Sequence, residues 1–246
     1  MNNFFEDLSK HIQNKKDSKI SRLILGWYAS CILTADNRHG VGFVPDSMKE
    51  PHTARSIHTE ALLSAALKEL AALYVSPFPQ EFAAASAACS ILVPFSPDEG
   101  MPLDAVMPCA RGDKVAVLGY ERDLLPFMHD WGWRIAVFDD RCAGRKDCFA
   151  QAEFSRGVRE AEWVWLSPEA VRDRWLMSTQ NILREKNGCF MQGPGIPALP
   201  ELFSRMGVTH LAAPIGNDAE AIEAHISAGG STWQCEALTW RVYTQG

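Results

Sequence analysis

The chain has 246 residues, of which 47% are hydrophobic and 22% charged, a balance typical of a folded protein with a sizeable core. The length favours two unequal domains, and no apolar run approaches the roughly 18 residues that a membrane span requires. The net charge of −6 argues against nucleic acid as a partner, because phosphate contacts require clustered Lys and Arg.

The first hundred residues predict a small α+β domain. Residues 19–44 contain two β-rich runs around the turn cluster Asp36-Asn37-Arg38-His39-Gly40, which favours an antiparallel hairpin. Residues 57–75 place apolar side chains at helical spacing and predict one amphipathic helix. Residues 80–92 are so rich in Ala and Ser that a second helix there could approach its neighbours closely.

A proline-rich segment without periodicity, residues 94–108, predicts a connection and a domain boundary near residue 100, with domains of 1–100 and 101–246. Beyond it, continuously apolar runs alternate with helical segments, as in a parallel sheet that helices cover on both faces. The predicted strands are 114–119, 134–140, 162–167, 189–193 and 209–214; the predicted helices are 121–131, 150–160, 168–186 and 198–206. Residues 233–243 alternate and predict an edge strand.

Ligands of open parallel sheets bind outside the carboxyl ends of the strands. Glycine permits positive φ and close backbone approach, and proline stiffens a turn, so the sequence GPGIP predicts a rigid turn whose amides face a partner. A plain strand-to-helix connection is the alternative interpretation. The strand ends of this chain are Gly119-Tyr120, Asp139-Asp140, Ser167-Pro168, Gln192 to Gly195 and Pro214 to Asp218.

The sequence also offers features that could indicate a nucleotide or a metal site. Asp139 follows Gly119 at the distance of a ribose-binding acid, but GYERDL lacks the other glycines of GxGxxG, and Asp139 as a strand-end cap is the alternative. Cys142 and Cys148 could hold a soft metal, yet their spacing is not that of a zinc pair, and structural cysteines are favoured. The seven cysteines contain no CxxC pair, so we expect reduced thiols. We expect Trp163 and Trp165 to pack against a helix.

The order of these features resembles the putative heavy-metal chelation family, in which an enolase-N-terminal-like α+β domain precedes a larger Rossmann-like, three-layer α/β domain with a parallel sheet. The resemblance is carried by KVAVLGY, with Gly119 and Tyr120, and by QGPGIPALPELFSRMGVTHLAAP. Asp218 and Thr179 match an Asp and a Thr of the family. The chain departs from it at Leu166-Ser167-Pro168 and at Met177-Ser178. The resemblance implies a cleft between the domains that handles a metal ion or a metal chelate.

We therefore expect a protein that binds a small molecule or metal. Its N-terminus does not resemble a secretion signal, so we expect it in the cytoplasm. The alternatives are an enzyme that uses a nucleotide or S-adenosylmethionine-like cofactor on the sheet, and a structural or partner-binding module. Turnover, the ligand and a homo-oligomeric state are left open. The predicted ligand-binding residues are Asn37, Arg38, His39, Gly119, Tyr120, Asp139, Ser167, Thr179, Gln192, Gly193, Pro194, Gly195 and Asp218.

Overall fold

The computed structural model describes residues 4–45, 59–103, 111–119 and 123–244. The chain forms two compact units. The first unit comprises residues 1–99, 193–202 and 213–240, and the second comprises residues 100–192, 203–212 and 241–246. A division into one domain before residue 100 and one after it stays a prediction.

Beyond residue 113, strands and helices largely alternate along the chain. The helices are α1 (Phe4–Gln13), α2 (Thr59–Ser64), α3 (Leu67–Ala72), α4 (Pro79–Leu92), α5 (Leu125–Asp130), α6 (Phe154–Glu160), α7 (Glu169–Arg172), α8 (Trp175–Leu183), α9 (Pro200–Ser204) and α10 (Ala219–Ser227). The strands are β1 (Ile20–Leu25), β2 (Ala29–Thr34), β3 (His39–Phe43), β4 (Met101–Pro102), β5 (Lys114–Leu118), β6 (Arg134–Phe138), β7 (Cys148–Phe149), β8 (Trp163–Leu166), β9 (Gly188–Gln192), β10 (His210–Ile215) and β11 (Thr239–Thr244).

The predicted hairpin is confirmed, and it is part of an antiparallel sheet in the order β1-β2-β3. This sheet packs on α4, of which nearly every residue is buried. The contact is close because β3 carries two glycines: a Cβ added to Gly40 would lie 2.5 Å from the Ala87 carbonyl oxygen, and one added to Gly42 would lie 2.4 Å from the Ala87 nitrogen. The close approach predicted for the Ala- and Ser-rich helix is therefore confirmed.

The helix predicted over residues 57–75 is wrong as a single element. Its described part forms α2, α3 and a 3-10 turn at Leu73–Val75. The break falls at Ala66, which has extended backbone angles and forms an isolated antiparallel bridge with Lys19. The Glu69 carboxylate accepts a hydrogen bond of 2.8 Å from the Ala66 backbone nitrogen and so starts α3 afresh.

The larger sheet confirms the mixed α/β fold class. Its order is β4-β11-β10-β9-β8-β5-β6-β7, and the pairs from β10 through β9, β8, β5 and β6 to β7 are parallel. The five runs predicted as strands appear as β5, β6, β8, β9 and β10. The closing segment is not the edge strand that its alternation predicted, because β4 pairs outside β11.

Two further details differ from the prediction. The helix predicted over residues 168–186 is interrupted, since Arg174 has a φ of 62° and separates α7 from α8. Trp163 and Trp165 both lie against Phe190 of the neighbouring strand β9, and the Trp165 ring stacks on the Phe190 ring at 4.5 Å. This contact confirms a packing role but shows a strand neighbour where a helix was expected.

Within the part of the chain that the structure describes, no helix combines the length and the apolar character needed to cross a membrane. The described cysteines, namely 31, 89, 142, 148, 189 and 235, are all free thiols.

The packing of α6 on β6 generates a stability prediction. A Cβ added to Gly157 would lie 1.9 Å from Phe138 Cζ. Gly157→Ala should therefore lower the free energy of unfolding by roughly 1–3 kcal/mol, the usual cost of overpacking, although alanine is the better helix former. In a Phe138→Leu background the same change should cost much less. Urea unfolding of the four proteins measures both effects; equal costs in the two backgrounds would contradict this packing.

Candidate functional site

The structure divides the predicted ligand-binding residues between the two units. Tyr120 lies outside the described residues. The first unit holds Asn37, Arg38, His39, Gly193, Pro194, Gly195 and Asp218, and the second holds Gly119, Asp139, Ser167, Thr179 and Gln192.

A cavity of about 210 Å³ lies within the first unit, and we name it the hairpin cavity. It joins three segments that the sequence analysis had singled out separately: the hairpin at β3, the GPGIP turn after β9, and the turn between β10 and α10. Its lining consists of His39–Val41, Ser90, Pro94, Phe95, Pro97, Gly195, Ile196, Ala213–Asn217, Ile222 and Leu238.

His39 connects the hairpin to the turn between β10 and α10. Its Nε2 lies 2.9 Å from the carbonyl oxygen of Gly216. A carbonyl oxygen only accepts hydrogen bonds, so Nε2 must carry the proton that is donated. In the neutral ring the lone pair then resides on Nδ1. A neutral imidazole with a free lone pair is the form that coordinates a metal.

The GPGIP turn is held against α4. Gly195 has a φ of 79°, and a Cβ at this position would lie 2.6 Å from Ser86 Cβ and 2.7 Å from the Ser86 carbonyl oxygen. Farther along, the Ala198 nitrogen donates a hydrogen bond of 2.9 Å to the Val93 carbonyl oxygen. Close packing on α4 therefore accounts for Gly195, and the same packing brings the turn to the edge of the cavity.

The lining of the hairpin cavity is mixed in polarity. Val41, Ile222 and Leu238 are buried members of one apolar cluster. The polar groups include the His39 ring and the Ser90 hydroxyl, which donates a hydrogen bond of 2.9 Å to the Ala87 carbonyl oxygen and keeps its lone pairs as acceptors. The volume is below the roughly 300–1,000 Å³ of pockets that bury drug-sized molecules, so the cavity suits a small ligand.

Three of the predicted residues have local structural roles in the first unit. Asn37 occupies the turn with a φ of 59°. Arg38 donates to Asp36 at 3.1 Å and to the Lys16 carbonyl oxygen. The Asp218 carboxylate accepts a hydrogen bond of 3.0 Å from the Ala221 nitrogen and caps the N-terminus of α10.

The carboxylate of Asp36 organises the hairpin turn. Hydrogen bonds from the hydroxyls of Thr34 and Ser18, together with Arg38 and Lys16, hold the pKa of Asp36 well below its ordinary value. The turn therefore keeps its charged acceptor down to acidic pH, which fixes the chain just before His39.

The second unit brings Gly119, Asp139 and Ser167 to one edge of the sheet, where β5 lies between β6 and β8. Gly119 has a φ of 94°, and a Cβ there would lie 2.8 Å from the Ser167 hydroxyl oxygen. That hydroxyl oxygen is buried and has no hydrogen-bond partner among the described residues. The point between β5 and β8 is the topological switch point, at which doubly wound sheets bind nucleotides.

Asp139 is engaged by a neighbour that sequence reasoning did not identify. The Arg141 backbone nitrogen and Nε donate to one carboxylate oxygen at 2.9 and 2.7 Å, and Arg141 Nη2 donates to the other. A ribose hydroxyl would have to compete with this guanidinium.

The second unit also contains an ion-pair cluster in which Arg172 contacts Glu169 at 3.5 Å and Asp173 at 2.7 Å.

Burial raises the pKa of Glu169 above its ordinary value, while Arg172 and Arg141 act in the opposite direction. The remaining predicted residues of this unit are also buried. The Thr179 hydroxyl donates to the Trp175 carbonyl oxygen of its own helix at 2.7 Å, and Gln192 ends β9 opposite Ala212. The ion pairs of Arg172 with Glu169 and Asp173 are local in sequence, and the helical i,i+3 spacing of Glu169 and Arg172 was the signal that could have indicated them.

Among the residues that the structure describes, no group of three or more His, Cys, Asp or Glu side chains is arranged to hold a metal ion.

Comparison with known proteins identifies one matching family model and several proteins of similar structure. The model of a family described as "Putative heavy-metal chelation" matches residues 101–245. A protein with unknown function of the DUF364 family from Pyrococcus horikoshii has a similar structure, with a TM-score of 0.74, 14% identity and 98% coverage of each chain. Another DUF364 protein with unknown function, from Desulfitobacterium hafniense, gives a TM-score of 0.71 at 19% identity, again over 98% of each chain. No curated protein matches the sequence.

The capping contact of Asp218 generates a prediction that separates a structural from a ligand-binding role. Asp218→Ala should lower the free energy of unfolding by about 1 kcal/mol because α10 loses its N-cap acceptor. Asp218→Asn should cost much less, since asparagine also caps. Urea unfolding of the three proteins tests this prediction. An Asp218→Ala protein as stable as the wild type would contradict the capping role.

Proposed function

The chain belongs to the putative heavy-metal chelation family, and we propose that it binds a small metal chelate in the hairpin cavity of its first unit. The observation that carries this proposal is that His39, the GPGIP turn and the turn between β10 and α10 line one cavity. Each of these segments was predicted from the sequence to contribute to a ligand site.

A chelate fits the available donors better than a bare ion. Protein sites for bare zinc or calcium ions use several side chains or oxygen ligands, and the described residues offer no such group. A chelator brings most of the donors itself and leaves one or two positions of the metal open. His39 Nδ1 can fill such a position while Nε2 stays bonded to the Gly216 carbonyl oxygen.

The rest of the lining suits the organic part of such a ligand. Val41, Ile222 and Leu238 offer apolar surface to the carbon atoms of a chelator. The Ser90 oxygen can accept a hydrogen bond from a metal-bound water or an amine, because its own proton is already donated to Ala87. Orientation would thus come from a few polar groups, as is usual for small-molecule sites.

The experiment uses two chelates that differ in open coordination positions. Nickel(II) nitrilotriacetate has open positions, and cobalt(III) EDTA has none. His39→Gln removes the coordinating nitrogen but keeps an amide that can donate to the Gly216 carbonyl oxygen, so the fold should persist. We expect calorimetric titration to show at least tenfold weaker binding of the nickel chelate to this variant, or about 1.4 kcal/mol. Affinity for the cobalt chelate should not change.

Blocking the cavity tests its location independently of the imidazole. Asn217 lines the cavity and is exposed, so Asn217→Trp should obstruct the entrance. Glu220→Trp, three residues farther on and also exposed, is the matched control. At a hundredfold excess over Kd, nickel(II) nitrilotriacetate should stabilise the wild type and the control by about 2.7 kcal/mol, and the blocked variant by far less. Equal stabilisation of all three proteins, or of none, would refute the proposal.

The unpartnered Ser167 hydroxyl beside Gly119 favours one further candidate, a nucleotide or S-adenosylmethionine-like cofactor at the switch point of the second unit. Ser167→Ala removes a hydroxyl that has no described partner, so stability should be kept. Titration with ATP and with S-adenosylmethionine should show binding to the wild type that weakens about tenfold in the variant, the loss of about one hydrogen bond. Absence of heat with both compounds would exclude this candidate.

A further inference from the structure

The loop between β6 and β7 brings two cysteines of the second unit together. Val137 and Phe138 of β6 pair in parallel with Cys148 and Phe149 of β7, so the chain returns beside the strand that it has just left. The Cys148 side chain is one of the groups that act on the Cys142 thiol and raise its pKa. Both are free thiols, and the sequence spacing alone had favoured structural cysteines.

Two residues with positive φ close this loop. Gly144 has a φ of 86° and Asp147 a φ of 58°, the latter a conformation that non-glycine residues seldom adopt. Backbone hydrogen bonds connect the same positions: the Arg145 nitrogen donates to the Cys142 carbonyl oxygen at 3.0 Å, and the Gly144 nitrogen donates to the Cys148 carbonyl oxygen at 3.3 Å. The backbone of this loop therefore folds the segment that carries Cys142 onto the segment that carries Cys148.

The two thiols differ in accessibility. Cys142 is 2% exposed, and its Sγ lies 3.5 Å from the Asp139 carbonyl oxygen. Cys148 is partly exposed at the edge strand of the sheet. Burial, together with the neighbouring Cys148 thiol, raises the pKa of Cys142 to about 12. Cys148 is thus the thiol that a reagent in solution can reach first, and Cys142 is placed to react with it afterwards.

We propose that Cys142 and Cys148 are a modification site at which a low-molecular-weight disulfide, of the glutathione type, converts the two thiols into a reversible intramolecular disulfide. The described residues supply no third donor that would complete a metal site around the pair. The proposal does not depend on ligand binding in the hairpin cavity.

The chemistry balances in two exchange steps. The Cys148 thiolate attacks one sulfur of the small disulfide, forms a mixed disulfide and releases one thiolate, which takes up the proton that Cys148 lost. Cys142 then loses its proton and attacks Cys148 Sγ, which releases the second small thiol. The two cysteines lose two electrons in total, and the small disulfide gains them as it becomes two thiols.

The disulfide would affect the part of the larger sheet where Arg141 and Asp139 form an ion pair. Cys142 directly follows Arg141, whose guanidinium engages Asp139. Closing the disulfide ties the segment that carries both groups to β7 and restricts its motion. The loop is the connection between β6 and β7, so the modification should leave the helices and the larger sheet intact.

The test uses the full chain in glutathione buffers of increasing disulfide fraction, quenched with acid and digested with trypsin. Cleavage after Arg141, Arg145 and Lys146 separates the two cysteines into peptides 142–145 and 147–156. We expect these two peptides to appear linked, with a combined mass about 2 Da below the sum of the reduced peptides. Addition of dithiothreitol should return both free peptides.

Variants define the order of events. Cys142→Ser should accumulate the mixed disulfide of Cys148 with glutathione, because the resolving thiol is gone, whereas Cys148→Ser should leave Cys142 largely unmodified. Cys235→Ser, which removes a buried cysteine of the first unit, is the control and should form the linked peptides as the wild type does. Circular dichroism confirms that each variant is folded. The proposal fails if folded wild type gives no linked peptide in glutathione disulfide alone, or if Cys148 stays unmodified in Cys142→Ser.

Discussion

Close backbone contact with α4 is the constraint on which the first unit depends. Gly40 and Gly42 of β3 bring the antiparallel sheet against the residues around Ala87, and Gly195 brings the GPGIP turn against Ser86. At each position a single added carbon would collide with helix backbone or with a short side chain. The Ala- and Ser-rich composition of α4 is the counterpart of these glycines, because larger side chains on the helix would keep both segments away.

The hairpin cavity follows from this packing. With β3 and the GPGIP turn both fixed to α4, the space between them and the turn after β10 is bounded by backbone that has little freedom to collapse. The hydrogen bond from His39 to the Gly216 carbonyl oxygen joins residues 177 positions apart in the chain and orients the imidazole. A binding group held in this way is largely organised before a ligand arrives, which lowers the cost of binding.

Local sequence signals predicted much of the fold. Five continuously apolar runs became parallel strands, and the composition of residues 80–92 indicated a closely packed helix. The failures have long-range causes: Ala66 breaks a helix because it bridges to Lys19, and β4 displaces β11 from the edge of the sheet. No helix was predicted at residues 219–227, although Asp218 was available as an N-cap and Ile222 and Ile226 have helical spacing.

The candidate site was predictable only in part, because its segments come from distant parts of the chain. Periodicity located the hairpin and the strand ends, but the contact of His39 with Gly216 has no local signature. The engagement of Asp139 by Arg141 is different, because the two residues lie only two positions apart and their opposite charges are visible in the sequence.

Crystals of the wild-type protein soaked with nickel(II) nitrilotriacetate and measured at the nickel absorption edge would test the central claim most directly. The account predicts an anomalous peak within coordination distance of His39 Nδ1; nickel bound only at other histidines, with none at His39, would contradict it.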